Sequence, residues 1–184
     1  MATLDPGRYF LISAPSLGKD VPSMKKHILC LGDSNTHGYC ADPNDCADGG
    51  IRFNEEERWA CLLQKQLGDS CLVTEEGLSG RTTVFADPLH ESMDALSVAY
   101  PLLKSHEVID LLIIMLGTND TKDRLGMNAA CIGLGMERLV RKCMSVDCWG
   151  DKKPNILIVA PPVIGEGVWT SSVADEWGPW GLLA

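Results

Sequence analysis

The sequence predicts an α/β fold, a three-layer sandwich in which helices cover both faces of a parallel sheet. Four short apolar runs alternate with longer segments of helical periodicity, which is the pattern of repeated strand–helix–strand units. The third run is apolar throughout, as expected of a central strand that is buried on both faces. We expect the strand order 2-1-3-4. The predicted strands are residues 27–31, 71–74, 110–116 and 155–160.

Helices are predicted between the strands. Residues 55–67 have apolar side chains at helical spacing and are followed by Gly68, a typical helix stop. Residues 87–97 are predicted to be irregular or weakly helical. Pro101 is predicted to open a short helix over residues 101–106, because proline is tolerated at the first helical position. A long helix is predicted after the third strand. Its apolar face is formed by Ile132, Met136, Leu139, Val140 and Cys143.

The length of 184 residues suits one domain, and the sequence contains no repeats. Residues 1–23 have several prolines and little periodicity, so we predict a poorly ordered N-terminal extension before a domain over residues 24–184. No apolar run reaches the roughly 20 residues that span a membrane. The formal net charge of −9 argues against nucleic acid or an anionic membrane surface as a partner. We therefore predict a cytoplasmic protein.

Neither a metal site nor a disulfide is predicted. The eight cysteines include no Cys-x-x-Cys pair, and most fall in apolar patterns where cysteine behaves as a small hydrophobic residue. A cytoplasmic location keeps such thiols reduced. Asp42, Asp45 and Asp48 lie close together in a polar loop, but the glycine and closing glutamate of a calcium loop are missing. We expect no metal and no organic cofactor.

Small and polar residues follow the first three predicted strands, at residues 32–35, 77–82 and 117–120. The carboxyl ends of parallel strands meet at one edge of a sheet, which is where such sheets bind ligands. Ser34 lies there, at the predicted start of a helix, where backbone N–H groups and the helix dipole stabilise an oxyanion. The alternative is that Ser34 is only a helix N-cap.

These three blocks resemble those of the SGNH, or GDSL-type, hydrolases, most closely the branch of small aryl esterases and acyltransferases. The matching blocks are Gly-Asp-Ser-Asn at 32–35, Glu-Glu-Gly-Leu-Ser-Gly-Arg-Thr-Thr at 75–83 and Met-Leu-Gly-Thr-Asn-Asp-Thr-Lys at 115–122. The resemblance runs from about residue 26 to residue 162. It implies a flavodoxin-like sheet and a serine hydrolase that cleaves small acyl or aryl esters through an acyl-enzyme on Ser34, with acyl transfer to alcohols.

The resemblance also assigns roles to three residues. Ser34 is the nucleophile, and its backbone N–H, the backbone N–H of Gly80 and the side-chain amide of Asn119 form the oxyanion hole. Glycine allows a close approach to the substrate, and an asparagine amide is a neutral donor. Taken singly, Gly80 could be a turn glycine and Asn119 a helix cap. Asp33 and Asp120 are interpreted as structural residues that hold turns through hydrogen bonds.

The base and its orienting carboxylate, which the family takes from an Asp-x-x-His motif after a fifth strand, are not found in the sequence. All four histidines, His27, His37, His90 and His106, precede Asn119. His37, the nearest to Ser34, is expected to line the pocket or face solvent. His27 and His106 are expected on the surface.

We therefore expect the domain over residues 24–184 to be C-terminally incomplete, with its fifth strand missing and little esterase activity. The exposed edge of the fourth strand predicts weak solubility or self-association into a homo-oligomer. The expected partner is a small-molecule ester. The alternatives are a pseudoenzyme or ligand-binding module on the same fold, and nucleotide binding, for which no Gly-rich phosphate loop is present.

Overall fold

The computed structural model describes residues 24–177, so the predicted N-terminal extension over residues 1–23 lies outside the described residues. Four parallel strands form one sheet with the order β2-β1-β3-β4, which confirms the predicted fold class and strand order. The strands are β1 (Lys26–Gly32), β2 (Cys71–Gly77), β3 (Leu111–Met115) and β4 (Ile156–Ile158). β2 therefore extends three residues beyond the predicted end at residue 74, while β4 is shorter than its predicted run.

Five α-helices connect or follow these strands within the described residues. They are α1 (Ser34–His37), α2 (Trp59–Leu67), α3 (Ala95–Ser105), α4 (Ala129–Ser145) and α5 (Ala174–Trp177). Short 3-10 turns lie at Pro43–Asp45, Gly68–Ser70, Asn119–Thr121, Asp123–Leu125 and Glu166–Thr170. The helix predicted over residues 55–67 begins only at Trp59. None of the helices in residues 24–177 has the length and apolarity needed to cross a membrane.

The core lies on both faces of the sheet because successive strand side chains point to opposite sides. On one face, Leu29 and Leu31 of β1 are covered by α3 and α4. On the other face, Cys30 of β1 and Ile113 of β3 pack with Ala60 of α2. The thiol of Cys30 is fully buried, and this burial raises its pKa to about 12. Cys30 therefore acts as a small apolar residue, as the sequence indicated.

The helix predicted over residues 101–106 is wrong in its start, because α3 begins six residues earlier, inside the segment predicted to be irregular. The Asp94 side chain caps this helix by accepting a hydrogen bond of 2.7 Å from the Ser97 N–H. Ala95, Ala99 and Leu103 recur every fourth residue and are buried. Pro101 lies inside the helix. Its missing N–H is tolerated because the cap and the apolar face outweigh the loss of one hydrogen bond.

The outer edge of β2 is closed by a side chain rather than by another strand. Gln64 of α2 accepts a hydrogen bond of 2.8 Å from the Val73 N–H and donates one of 3.2 Å to the Cys71 carbonyl. This amide therefore stands in for a paired strand at two backbone groups. At the opposite edge, Leu157 and Ile158 of β4 are about half exposed, at 48% and 51%. The predicted self-association through β4 stays a prediction.

Replacing the Gln64 amide should destabilise the protein without altering its core. We expect Gln64→Met to lower the free energy of unfolding by about 1 kcal/mol, because the Val73 N–H loses its partner at a half-buried edge. Urea denaturation measures this difference. The control is Gln66→Met on the same helix, where the side chain is exposed and should change stability by less than about 0.5 kcal/mol. Equal stability of the two variants would contradict this role for Gln64.

Candidate active site

Ser34 lies on a sharp turn at the carboxyl end of β1. The Asp33 side chain caps this turn, because its Oδ1 accepts hydrogen bonds from the Asn35 N–H at 2.9 Å and from Asn35 Nδ2 at 3.0 Å. The N-cap is therefore Asp33, and the alternative in which Ser34 serves as the cap is wrong. Ser34 is the first residue of α1 and is partly exposed. Its hydroxyl makes no hydrogen bond to any residue between 24 and 177.

Helix α1 is only one turn long. It is ended by its C-cap residue, Gly38, which adopts a left-handed conformation with φ of 84°. The expected contribution of a helix dipole is correspondingly small. The turn instead lies directly on two strand ends. A Cβ on Gly32 would lie 2.0 Å from Thr36 Oγ1, and a Cβ on Gly77 would lie 2.2 Å from the His37 backbone nitrogen. Glycine at both strand ends therefore lets α1 lie against the sheet.

Gly80 lies in the turn that follows β2. The Arg81 N–H donates a hydrogen bond of 3.0 Å to the Leu78 carbonyl and closes this turn around Gly80, whose φ is +90°. A Cβ there would be strained by this conformation and would lie 2.8 Å from Met93 Cε. Within the described part of the chain, the N–H groups of Gly80 and Ser34 have no hydrogen-bond acceptor. Both are therefore available to a bound group.

Asn119 begins the 3-10 turn that follows β3, and only 4% of its surface is exposed. Its Nδ2 donates a hydrogen bond of 3.1 Å to the carbonyl of Arg81, the residue after Gly80. A side-chain amide carries two hydrogens on this nitrogen, and the bond to Arg81 is the one that it makes among the described residues, so a second N–H is left for a bound group. Thr118 is the cap of the turn, so the alternative role of Asn119 as a helix cap is wrong.

The loops that carry the three candidate residues are joined by hydrogen bonds between their neighbours. The Leu78 N–H donates to the Gly32 carbonyl at 3.1 Å, which links the loops after β2 and β1. Asn35 Nδ2 donates to Thr118 Oγ1 at 3.3 Å, which links the loops after β1 and β3. The bond from Asn119 to Arg81 completes the circuit. The carboxyl edge of the sheet is therefore one connected polar site.

Comparison with known proteins decides the family. The model of the GDSL-like Lipase/Acylhydrolase family matches residues 30–179. The chain belongs to this family. No curated protein matches the chain. The predicted SGNH family is thus confirmed, and membership places the chain among enzymes that hydrolyse esters.

Solved structures of esterases are similar to this GDSL-family chain. A carbohydrate acetylesterase family member from Sinorhizobium meliloti is 36% identical with a TM-score of 0.73, and the match covers 84% of this chain and 71% of that one. The aryl esterase of M. smegmatis in its inhibitor-bound form is 33% identical with a TM-score of 0.71, covering 85% and 73%. A putative arylesterase from Agrobacterium tumefaciens is 37% identical with a TM-score of 0.66, covering 77% and 67%.

Two aspartates of the GDSL-family blocks are fully buried at this edge. Asp120 accepts hydrogen bonds from the Thr83 N–H at 2.9 Å and from Thr83 Oγ1 at 2.5 Å. Burial raises the pKa of Asp120, and these bonds oppose the rise. Burial likewise raises the pKa of Asp33, against the hydrogen bonds from Asn35. The contacts of both carboxylates agree with the structural roles that the sequence analysis assigned to them.

Two of the four histidines contact other side chains, and none is hydrogen-bonded to the Ser34 hydroxyl among the described residues. His27 Nε2 contacts Thr74 Oγ1 at 2.9 Å, and His106 Nε2 contacts Glu76 Oε1 at 2.7 Å. Both rings pack edge-to-face with their centroids 5.9 Å apart and are partly buried, so they lie at the surface, as predicted, with only part of each ring exposed. His37 is partly buried and His90 is exposed. No imidazole is hydrogen-bonded to Ser34 within residues 24–177.

A partly buried ion-pair network, in which Asp87 is the one buried side chain, lies at the same end of the sheet, and sequence reasoning missed it. Arg124 Nη2 lies 2.6 Å from Asp87 Oδ2, and Arg124 Nη1 lies 3.0 Å from Glu176 Oε2. Lys122 pairs with the same Glu176 carboxylate and lies over the Trp177 ring. The network ties α5 to the loop after β3. Its partners are 37 and 52 residues apart in sequence, so no local pattern indicates the pairing.

Acid should remove the contribution of Asp87 to stability. Its hydrogen bond to Arg124 holds the pKa of Asp87 below the ordinary value, so this stabilisation is present above the unfolded pKa of about 4 and is lost as the pH falls through the folded pKa. We expect Asp87→Asn to lower the free energy of unfolding by about 2–3 kcal/mol at pH 7, and by less at about pH 3, which is below the pKa of about 4 in the unfolded chain.

Urea denaturation at the two pH values measures this effect. The control is Glu137→Gln, which breaks an exposed pair with Arg141 and should cost less than about 0.5 kcal/mol at either pH. A loss for Asp87→Asn that is the same at both pH values would contradict the pairing.

Proposed function

We propose that the chain is a serine esterase in which Ser34 attacks small acyl esters, and that the acyl group then passes to water or to an alcohol. The observation that carries the proposal is the set of free donors at one edge of the sheet. The N–H groups of Ser34 and Gly80 have no acceptor in residues 24–177, and Asn119 keeps one amide hydrogen. Free donors on connected loops are what an oxyanion hole requires.

The reaction proceeds in two steps. The Ser34 hydroxyl oxygen forms a bond to the ester carbonyl carbon, and the carbonyl oxygen becomes an oxyanion held by the three donors. When the oxyanion collapses, the bond to the leaving oxygen breaks, the proton from Ser34 goes to that oxygen, and an alcohol or phenol departs. Water or a second alcohol then attacks the acyl-enzyme by the same route. Each oxyanion donor contributes roughly 3–4 kcal/mol of transition-state stabilisation.

The names of the similar esterases support a proposal for the substrate class. The Sinorhizobium meliloti protein is named as a carbohydrate acetylesterase family member and the M. smegmatis protein as an aryl esterase. We propose that this chain likewise takes a small acyl group such as acetyl, on an aryl or sugar alcohol. The site requires neither a metal nor an organic cofactor for this chemistry.

Proton transfer sets the expected rate. No imidazole among residues 24–177 is hydrogen-bonded to Ser34, so these residues lack a base that would take the Ser34 proton. We therefore expect acylation of Ser34 to be slow, because removal of one triad member costs several powers of ten in rate. The same observation favours a second candidate, a module that binds esters without turning them over. Ester-dependent thermal stabilisation with no product release would support that second function.

Covalent labelling tests the nucleophile. We expect an alkyl fluorophosphonate to add one adduct to the chain at Ser34, because the free donors stabilise the oxygen of the tetrahedral phosphorus species. The variant Ser34→Ala should show no adduct by intact-mass spectrometry and peptide mapping. The matched control is Ser79→Ala at the same edge, where the serine is exposed and labelling should persist. Equal labelling of Ser34→Ala and the unmodified chain would refute the assignment.

Removal of the asparagine amide tests the oxyanion hole. We expect Asn119→Ala to lower the labelling rate at saturating probe by about 10²–10³-fold, because one donor to the developing charge is lost. Stopped-time mass spectrometry over a range of probe concentrations separates this rate from probe binding. The control is Asn128→Ala, which removes the N-cap of α4 and should lower stability by about 1 kcal/mol while leaving the labelling rate unchanged. An unchanged rate in Asn119→Ala would exclude its amide from the site.

A further inference from the structure

We propose that Arg81 is the positioning residue that holds the oxyanion donors of Ser34, Gly80 and Asn119 in register. The inference deepens the proposed function and rests on it. It comes from the contacts that this one residue makes to all three loops at the carboxyl edge of the sheet.

The guanidinium joins the ends of two neighbouring strands. Arg81 Nη1 donates to the Glu76 carbonyl at 2.5 Å and to the Gly32 carbonyl at 3.3 Å. Glu76 is next to the last residue of β2 and pairs with Leu31, so the two carbonyls lie on adjacent strands. Gly32 is two residues before Ser34. The side chain of Arg81 therefore fixes the position of the strand end that carries the nucleophile.

The backbone of Arg81 fixes the other two donors. Its N–H closes the turn around Gly80 by donating to the Leu78 carbonyl at 3.0 Å, and its carbonyl accepts the 3.1 Å hydrogen bond from Asn119 Nδ2. Without the hydrogen bonds from its side chain to the Gly32 and Glu76 carbonyls, the backbone of residue 81 would be free to move. The Gly80 N–H and the Asn119 amide would move with it, because both are set by that backbone.

The way in which Arg81 is buried indicates a role beyond stability. It is only 6% exposed, and its Nε is buried without a hydrogen-bond partner among residues 24–177. The other enclosed arginines, Arg58 and Arg124, pair with carboxylates, whereas the Arg81 guanidinium forms no ion pair among the described residues. Burial of such a group is costly, and burial lowers the pKa of Arg81. Costs of this kind are typical of sites where geometry matters for function.

Arginine suits this position better than lysine. The guanidinium is planar and its N–H groups have fixed directions, so two carbonyls bonded to it are held in a fixed relation. A lysine ammonium carries the charge but allows the two carbonyls to move independently. Misplacement of an oxyanion donor by about 1 Å is enough to cost about 10²-fold in rate.

The test compares Arg81→Lys and Arg81→Ala with the unmodified chain and with Ile109→Ala. Ile109 is fully buried at the amino end of β3, so its truncation destabilises the fold without touching the site. The first readout is the fluorophosphonate labelling rate at saturating probe, measured well below each melting temperature. The second is the amide NMR spectrum, in which the Gly80 N–H and the Asn119 side-chain resonances report the geometry without any need for activity.

We expect Arg81→Ala to label about 10²-fold more slowly with little change in probe affinity, and Arg81→Lys about 10-fold more slowly. Both should shift the Gly80 and Asn119 resonances. Millimolar guanidinium chloride, but not sodium chloride, should restore labelling of Arg81→Ala by refilling the cavity. Ile109→Ala should melt at a lower temperature, with an unchanged labelling rate and unchanged resonances at the site.

Unchanged labelling and unchanged Gly80 and Asn119 resonances in Arg81→Lys would overturn the proposal, as would equal slowing in Ile109→Ala. If Arg81→Ala fails to fold, Arg81→Lys decides. If the unmodified chain is not labelled at all, the proposed function fails, and the resonance shifts alone then decide whether Arg81 sets the geometry of the edge.

Discussion

The close seating of one helical turn on two strand ends is the constraint on which the rest of the site depends. Gly32 and Gly77 are register partners at the ends of β1 and β2. Any side chain at Gly32 would collide with Thr36, and any at Gly77 with the backbone of His37. Because both positions are bare, the chain reverses direction directly above the sheet. Ser34 is thereby placed on a rigid edge, where sites are held more accurately than on free loops.

Two carboxylates that are buried beside the donors hold the loops at this edge in place. Asp33 shapes the turn by accepting from Asn35, and Asp120 holds the loop after β2 through Thr83. Burial raises the pKa of both carboxyl groups, because it removes the water that stabilises their charged form. Hydrogen bonds from the loops, including backbone N–H groups, oppose this rise. The carboxylates thus fix loops that apolar packing alone would leave loose.

The sheet could be predicted from sequence because each strand is marked by a local apolar run, and its order follows from the doubly wound pattern. The three site loops could also be predicted to lie together, because each follows the carboxyl end of a predicted parallel strand. The start of α3 was predicted wrongly because Pro101 is typical of a first helical position. The helix in fact begins at Ala95, since Ala95, Ala99 and Leu103 form its buried face on both sides of the proline. The ion pair of Asp87 with Arg124 also left no local signal, because only the folded chain brings those loops together.

Hydrogen-bond satisfaction distinguishes the site from its scaffold. Four buried side-chain atoms lack a partner in the described residues, and three of them, on Asp33, Thr36 and Arg81, belong to the edge that carries Ser34. Native proteins pair nearly all buried polar groups, so such a concentration in one place is unusual. The edge therefore combines free donors with buried polar groups that are not fully paired among the described residues. That combination leaves binding capacity at the strand ends, next to a core in which the strand side chains are buried on both faces of the sheet.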